Sequence, residues 1–318
     1  MEAMRSLVRL AIAVVAVGGG AAVQAQAVAS ATGDSLDRRA LETVMGRIGS
    51  VLAGGVLRFG MPRTDLDVRI GEVRIRPTFA LGSWVAFRAA PGGAIAMGDL
   101  VLLESELGPV LARLQSGGIE QSAIHHHLVG ESPHVLYVHL HAHGDARGIA
   151  SAVRAALALT GTPVPAPATA SGAGAPVTTS AVPTAFEIDS AAIGNILGFH
   201  GAVNGGVLQI GVPRAETVRE MGLEIPPSMG LATAINFQPT GDGKAAITGD
   251  YVLLASEVNP VIRVLQSQGI AVTSLHNHLL DDEPRLFFMH FWAHDDALKL
   301  ARGLRAALDV TRSRRPAP

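Results

Sequence analysis

The 318-residue chain has no cysteine. That excludes disulfides, a thiol nucleophile, thiolate metal ligands and a lipid anchor on an N-terminal Cys. Aromatic residues are scarce at 4%, so small and aliphatic side chains must fill most of the core. Lysine occurs only at Lys244 and Lys299, and the formal net charge is -2. The arginines are scattered among acids, and no basic tract is interleaved with aromatics, which argues against a nucleic-acid partner. The chain also lacks G-x-S-x-G, a P-loop and a dinucleotide fingerprint, so no nucleotide or dinucleotide cofactor is expected.

What is present begins with an export-like leader. Arg5 and Arg9 precede an apolar run from Leu10 to Val17, and small residues follow in 21-AAVQAQAVASA-31. The expectation is a signal peptide over residues 1–29 and a periplasmic or secreted mature protein. The apolar run is too short for a comfortable span of roughly 20 residues.

The chain then repeats itself. 54-GGVLRFGMPR-63 answers to 205-GGVLQIGVPR-214, and 98-GDLVLLESELGPVLARLQSGGI-119 to 249-GDYVLLASEVNPVIRVLQSQGI-270. Two homologous domains, 34–159 and 185–311, are expected. The Pro-, Ala-, Gly- and Thr-rich segment 160–184 joins them as a linker. Within repeat 1 the patterns predict a helix over 35–52. Strands follow near 55–61, 81–87 and 99–105, with a helix capped by Ser105. A hairpin (119–128 with 134–143) and a final helix from Asp145 complete the repeat. This order predicts an α+β fold, a mainly antiparallel sheet with helices on one face and a ferredoxin-like tail.

Histidines concentrate in 122-SAIHHHLVGESPHVLYVHLHAHGDA-146 and 273-TSLHNHLLDDEPRLFFMHFWAHDDA-297. Together with 249-GDYVLLASEVNPVIRVLQSQGI-270, the second segment resembles the signature region of the LppY/LpqO family. These are exported bacterial proteins named for mycobacterial lipoproteins, a domain of unknown function. The resemblance covers both repeats and is closer in repeat 2. It implies an exported setting and little chemistry. Repeat 1 departs from it at His126, His134 and His141, where repeat 2 has Asn277, Arg285 and Trp292.

Four histidine positions are shared: His125/His276, His127/His278, His139/His290 and His143/His294. Residues two apart on a strand point to one face. His125 and His127 therefore join His139 only if one of them opposes an odd-numbered residue. In that register each hairpin offers an all-nitrogen set, with Glu106 or Glu257 as a candidate carboxylate, suited to Zn, Cu(II), Ni or Fe(II). Asp145/Asp296 and Glu131/Asp282 are further candidate acids. Metal handling or metal-dependent hydrolysis is the leading expectation, with repeat 2 keeping the more specific site. Two other readings stand beside it: a metal-free pocket for a small ligand, and structural histidines in a cell-envelope module for a glycan, peptide or protein. Asp99/Asp250 read as turn residues, Arg63/Arg214 as surface ion pairs, and Gly98/Gly249 as backbone devices. Oligomeric state is not legible.

Overall fold

The computed structural model describes residues 35–163 and 186–314. The expected signal peptide and nearly all of the expected linker lie outside these residues. Among the described residues no helix is long and apolar enough to cross a membrane.

Repeat 1 runs α1 (Arg38–Met45), β1 (Ser50–Leu52), β2 (Val56–Pro62), β3 (Arg69–Ile70), β4 (Val73–Arg74), β5 (Gly82–Ala90), β6 (Gly93–Leu103), α2 (Glu104–Ser116), β7 (Glu120–His125), β8 (Glu131–Ser132), β9 (Val135–Gly144) and α3 (Ala146–Leu157). Repeat 2 follows the same plan: α4 (Ser190–Leu197), β10 (Ala202–Asn204), β11 (Val207–Pro213), β12 (Val218–Glu220), β13 (Leu223–Ile225), a 3₁₀ turn, β14 (Ala232–Gly241), β15 (Lys244–Leu254), α5 (Ala255–Ser267), β16 (Ala271–His276), β17 (Asp282–Glu283), β18 (Leu286–Asp296) and α6 (Ala297–Leu308). Each repeat builds a six-stranded sheet, ordered β1-β2-β5-β6-β9-β7 and β10-β11-β14-β15-β18-β16. All neighbours pair antiparallel. β6-α2-β7, with β9 inserted between its strands, is the split βαβ unit of a ferredoxin-like tail.

The first helix is shorter than its periodicity suggests. Asp37 caps it by accepting from the Ala40 N–H, and Gly46 ends it in the left-handed region at φ 65°. At α2 the start signal is also different from the expected Ser105. The Glu106 carboxylate reaches back to the Leu103 N–H at 2.8 Å, so the helix opens at Glu104.

β6 is buried along almost its whole length because both faces of the sheet are covered. Ala96, Leu100 and Leu102 face the helices with Val110, Leu114, Val153 and Leu157. Ile95 and Met97, of the other parity, turn towards repeat 2 with Ala86 of β5, and pack with Val218, Ile225, Met229, Val252 and Phe288. A matching cluster joins Phe79, Val101 and Tyr137 to Val207, Ala246 and Trp292. The repeats therefore share two apolar clusters, with helices outside and the sheets' remaining faces turned inward. Asp99 and Asp250 have the inward parity. They stand in mid-strand, opposite Trp84 and His139, and Ala234 and His290, respectively, rather than in turns.

Gly98 and Gly249 precede these aspartates because nothing larger fits. A Cβ at Gly98 would lie 2.5 Å from the Trp84 carbonyl oxygen, and one at Gly249 would lie 1.9 Å from that of Ala234.

Candidate metal centre between the repeats

The hairpins have the register that gathers their histidines. His125 opposes Tyr137 and Ala123 opposes His139; His276 opposes Phe288 and Ser274 opposes His290. A β-bulge at Ser122 and one at Thr273 shift the pairing further along. Each bulge leaves one residue outside the ladder and re-aims its side chain. The Ser122 hydroxyl donates to the His278 carbonyl, and the Thr273 hydroxyl donates to the His127 carbonyl at 2.8 Å. These reciprocal bonds tie each edge strand to the other repeat's hairpin.

The consequence is one histidine cluster where the sequence suggests two. Ring centroids of His125 and His276 are 3.7 Å apart. His127 stacks on His290 at 3.8 Å, and His139 lies 3.8 Å from His278. Exchanging the repeats maps the first pair onto itself and the other two onto each other, so a local two-fold axis passes between His125 and His276. His127 and His278 are backed by Tyr137 and Phe288 at 3.5 and 3.4 Å.

Backbone carbonyls set the orientation of several rings. The Nδ1 of His139 lies 3.2 Å from the Gly98 oxygen, and that of His290 lies 2.7 Å from Gly249. His278 Nδ1 lies 3.1 Å from the Gly230 oxygen. With Nδ1–H donating to a carbonyl, Nε2 presents a lone pair to the cluster, the arrangement found behind metal-ligating histidines. At the position equivalent to Gly230, the Ala80 carbonyl accepts from the Tyr137 hydroxyl at 3.0 Å; Phe288 has no hydroxyl to do the same.

Two buried carboxylates, not expected from the sequence as ligands, close the set. Asp99 Oδ2 is 3.2 Å from His127 Nε2, and Asp250 Oδ2 is 3.1 Å from His278 Nε2. The only sequence signal was their recurrence inside an apolar strand, in G-D-L-V-L-L and G-D-Y-V-L-L. Three donor sets here have ligand atoms within 4.8 Å of one another: His125/His127/His290, His125/His139/His276 and Asp250/His276/His278.

Burial, followed by the neighbouring imidazoles, holds His125, His127, His139, His278 and His290 well below the ordinary histidine range. Burial also lowers His276 and raises the carboxyls of Asp99 and Asp250. The imidazoles are thus neutral, the form that ligates metal. Seven buried atoms here lack a hydrogen-bond partner: His125 Nδ1, the Nε2 atoms of His139, His276, His278 and His290, and Oδ1 of Asp99 and Asp250. Each such atom costs on the order of 1–3 kcal/mol.

The cluster borders a cavity of about 690 Å³ lined by both repeats. Its walls differ. Arg58 and Trp84 line one side, with the guanidinium 4.0 Å over the indole; Gln209 and Ala234 take those places in repeat 2. Burial pushes Arg58 down to about 10, with Asp99 opposing the shift.

The structure removes four expected ligands from the centre. Glu106 and Glu257 lie on the helix side, each bound at 2.7 Å by a buried arginine, Arg63 or Arg214. Both oxygens of each carboxylate are occupied, through further bonds from Gly161 and Leu103, or Arg312 and Leu254. Burial pushes Glu257 up, but the bonds from Arg214 and these N–H groups outweigh it and hold the carboxyl below its usual range. Arg63 and Arg214 are therefore interior ion-pair partners, not surface ones. His143 and His294 lie four residues along the strand from His139 and His290, about 13 Å at strand rise. They contact the Pro91 carbonyl and the Thr240 hydroxyl instead. Asp145 and Asp296 cap helices α3 and α6.

No curated protein matches this chain. Among solved structures, EtuB from Clostridium kluyveri is matched over 82% of this chain and 90% of that one, at 9% identity and a TM-score of 0.21. A TM-score that low establishes neither a common fold nor a common activity. A family model described as "Domain of Unknown Function (DUF1259)" matches residues 39–159 and again 191–310, so the chain belongs to that family and carries its domain twice.

Proposed function

We propose that the two repeats jointly hold a transition-metal centre at the floor of the inter-repeat cavity, where a small anionic molecule binds and is processed. The observation that carries this reading is the convergence of seven unpartnered buried nitrogen and oxygen atoms from both repeats. A core that needed only packing would have apolar side chains there. His278 and Asp250, with Nε2 and Oδ2 3.1 Å apart, would be among the residues that hold the cation. Imidazole nitrogen with carboxylate oxygen suits Zn, Cu(II), Ni or Fe(II).

The cavity favours chemistry on a ligand over storage of an ion, since its volume is that of a small-molecule site. Arg58 supplies a cation for a carboxylate or phosphate group, and Trp84 an apolar wall. A transition metal held by these histidines would supply Lewis-acid activation of water, and Asp99, 3.2 Å from His127 Nε2, would be placed to accept a proton, which makes hydrolysis the favoured reaction class. The leader-like N-terminus and the LppY/LpqO resemblance support an exported protein.

Elemental analysis of the purified full chain tests the metal. His139→Ala and His290→Ala should each deplete it, and to a similar extent, because each repeat contributes to the same centre. Protein that is metal-free and takes up no Zn, Cu or Ni on titration would refute the proposal.

A further inference from the structure

Repeat 1 carries another donor set, away from the two-fold axis. His126, Glu131 and His134 offer ligand atoms that all lie within 4.8 Å of one another. None belongs to the central cluster. The Glu131 side chain is fully buried, with one oxygen 2.8 Å from His134 Nδ1 and the other, Oε2, unpartnered. His126 Nδ1 is also buried and unpartnered, and the two imidazole rings are 4.8 Å apart. His134 is half-exposed, which leaves an approach from solvent.

Repeat 2 shows what this loop requires. Asp282 stands where Glu131 does and accepts from the equivalent backbone group: Leu286 N–H donates to Asp282 as Val135 N–H donates to Glu131. Its counter-ion is Arg285, with Nη1 2.9 Å from Asp282. Arg285 also donates to the Leu279 and Leu280 carbonyls, gathering the loop around its charge. Repeat 1 keeps the buried carboxylate and loses the arginine. At the positions of Arg285 and Asn277 it has His134 and His126.

We propose that this loop of repeat 1 binds a divalent transition metal ion, with zinc the best fit, through His126, Glu131 and His134. The ion does for Glu131 what the Arg285 guanidinium does for Asp282. Two imidazoles and one carboxylate, with an open side facing solvent, form a three-protein-ligand zinc set. The ion would sit in the loop that carries His127 into the central cluster. This inference does not depend on the central site holding metal.

The test is zinc titration of the metal-stripped full chain against a chromogenic chelator. Wild type is compared with the double variant H126N/H134R, which writes the residues of repeat 2 into repeat 1. The double variant should bind one zinc equivalent fewer while keeping a native near-ultraviolet circular dichroism spectrum. H139A/H290A should retain that equivalent whatever happens at the centre. His134→Ala, at a half-exposed position, reads the same loss should the double variant fold poorly. Unchanged zinc stoichiometry in both His134 variants would overturn the proposal; loss of the equivalent in H139A/H290A alone would assign it to the centre and overturn it equally.

Discussion

Repeat 1 and repeat 2 agree where they meet and differ where they open. The two-fold-related positions His125/His276, His127/His278, His139/His290 and Asp99/Asp250 are identical, as are the buried pairs Arg63–Glu106 and Arg214–Glu257. Other positions away from the axis are not: Gln209 stands where Arg58 does, Ala234 where Trp84 does, and Arg285 where His134 does. Identical residues at an axis serve something both halves touch together. Divergent residues around it give that shared centre one distinct side, as a site for an asymmetric organic molecule requires.

The largest expected effect tests the identical set as a whole. The clustered histidines have depressed pKa values in the folded protein, so below the unfolded value of about 6.5 the unfolded chain binds more protons. Stability of the metal-free protein is then full above that pH and lost as pH falls through and below it. Each excluded proton contributes about 1.4 kcal/mol per pH unit, so several together should remove on the order of 5 kcal/mol between pH 6.5 and 5. Urea unfolding against pH measures this. H139Q and H290Q should flatten the curve by similar amounts, and unequal flattening would break the equivalence of the repeats.

Next come the paired ion bridges. Glu106→Gln and Glu257→Gln each remove the more buried of a buried arginine's two carboxylate partners, leaving only Asp65 or Glu216, and should cost about 3 kcal/mol in denaturant unfolding. Near-equal losses are expected, since both pairs have the same geometry. A smaller and unequal effect is expected at the close strand crossings. Gly98→Ala should cost about 1–3 kcal/mol, and Gly249→Ala more, because its Cβ would come closer to backbone. Equal melting temperatures would contradict the tighter crossing in repeat 2. The smallest effect probes the rim. Arg58→Gln makes repeat 1 resemble repeat 2 and should weaken binding of inorganic phosphate, used as a probe anion, by about tenfold. Gln209→Ala should leave it nearly unchanged in the same calorimetric titration.

Much of each repeat could be read locally. The offset of 151 residues, the strand-helix-hairpin-helix order and the Asp145 cap are carried by patterns of neighbouring residues. The hairpin parity was only a condition in the sequence, since the turn length was not fixed there; the pairing of His125 with Tyr137 and Ala123 with His139 supplies it. What escaped was anything set by the other repeat. Asp99 looks like a turn residue until a second sheet covers its face, and Glu106 looks free until Arg63, 43 positions earlier, folds onto it. The separation of His143 from His139 is a matter of strand length, not of residue type. Pairing two half-sites required the bulges at Ser122 and Thr273, and a bulge has no fixed signature in one sequence.

The reciprocal bonds from Ser122 and Thr273 bear on ancestry. A single repeat owns three of the six central histidines and one of the two aspartates, and the rest of its inward sheet face carries apolar side chains that pack on the other repeat. Alone it would be half a vessel, able to close only against a twin. Joining two copies in one chain made that encounter permanent, and freed each rim to change without its counterpart having to follow.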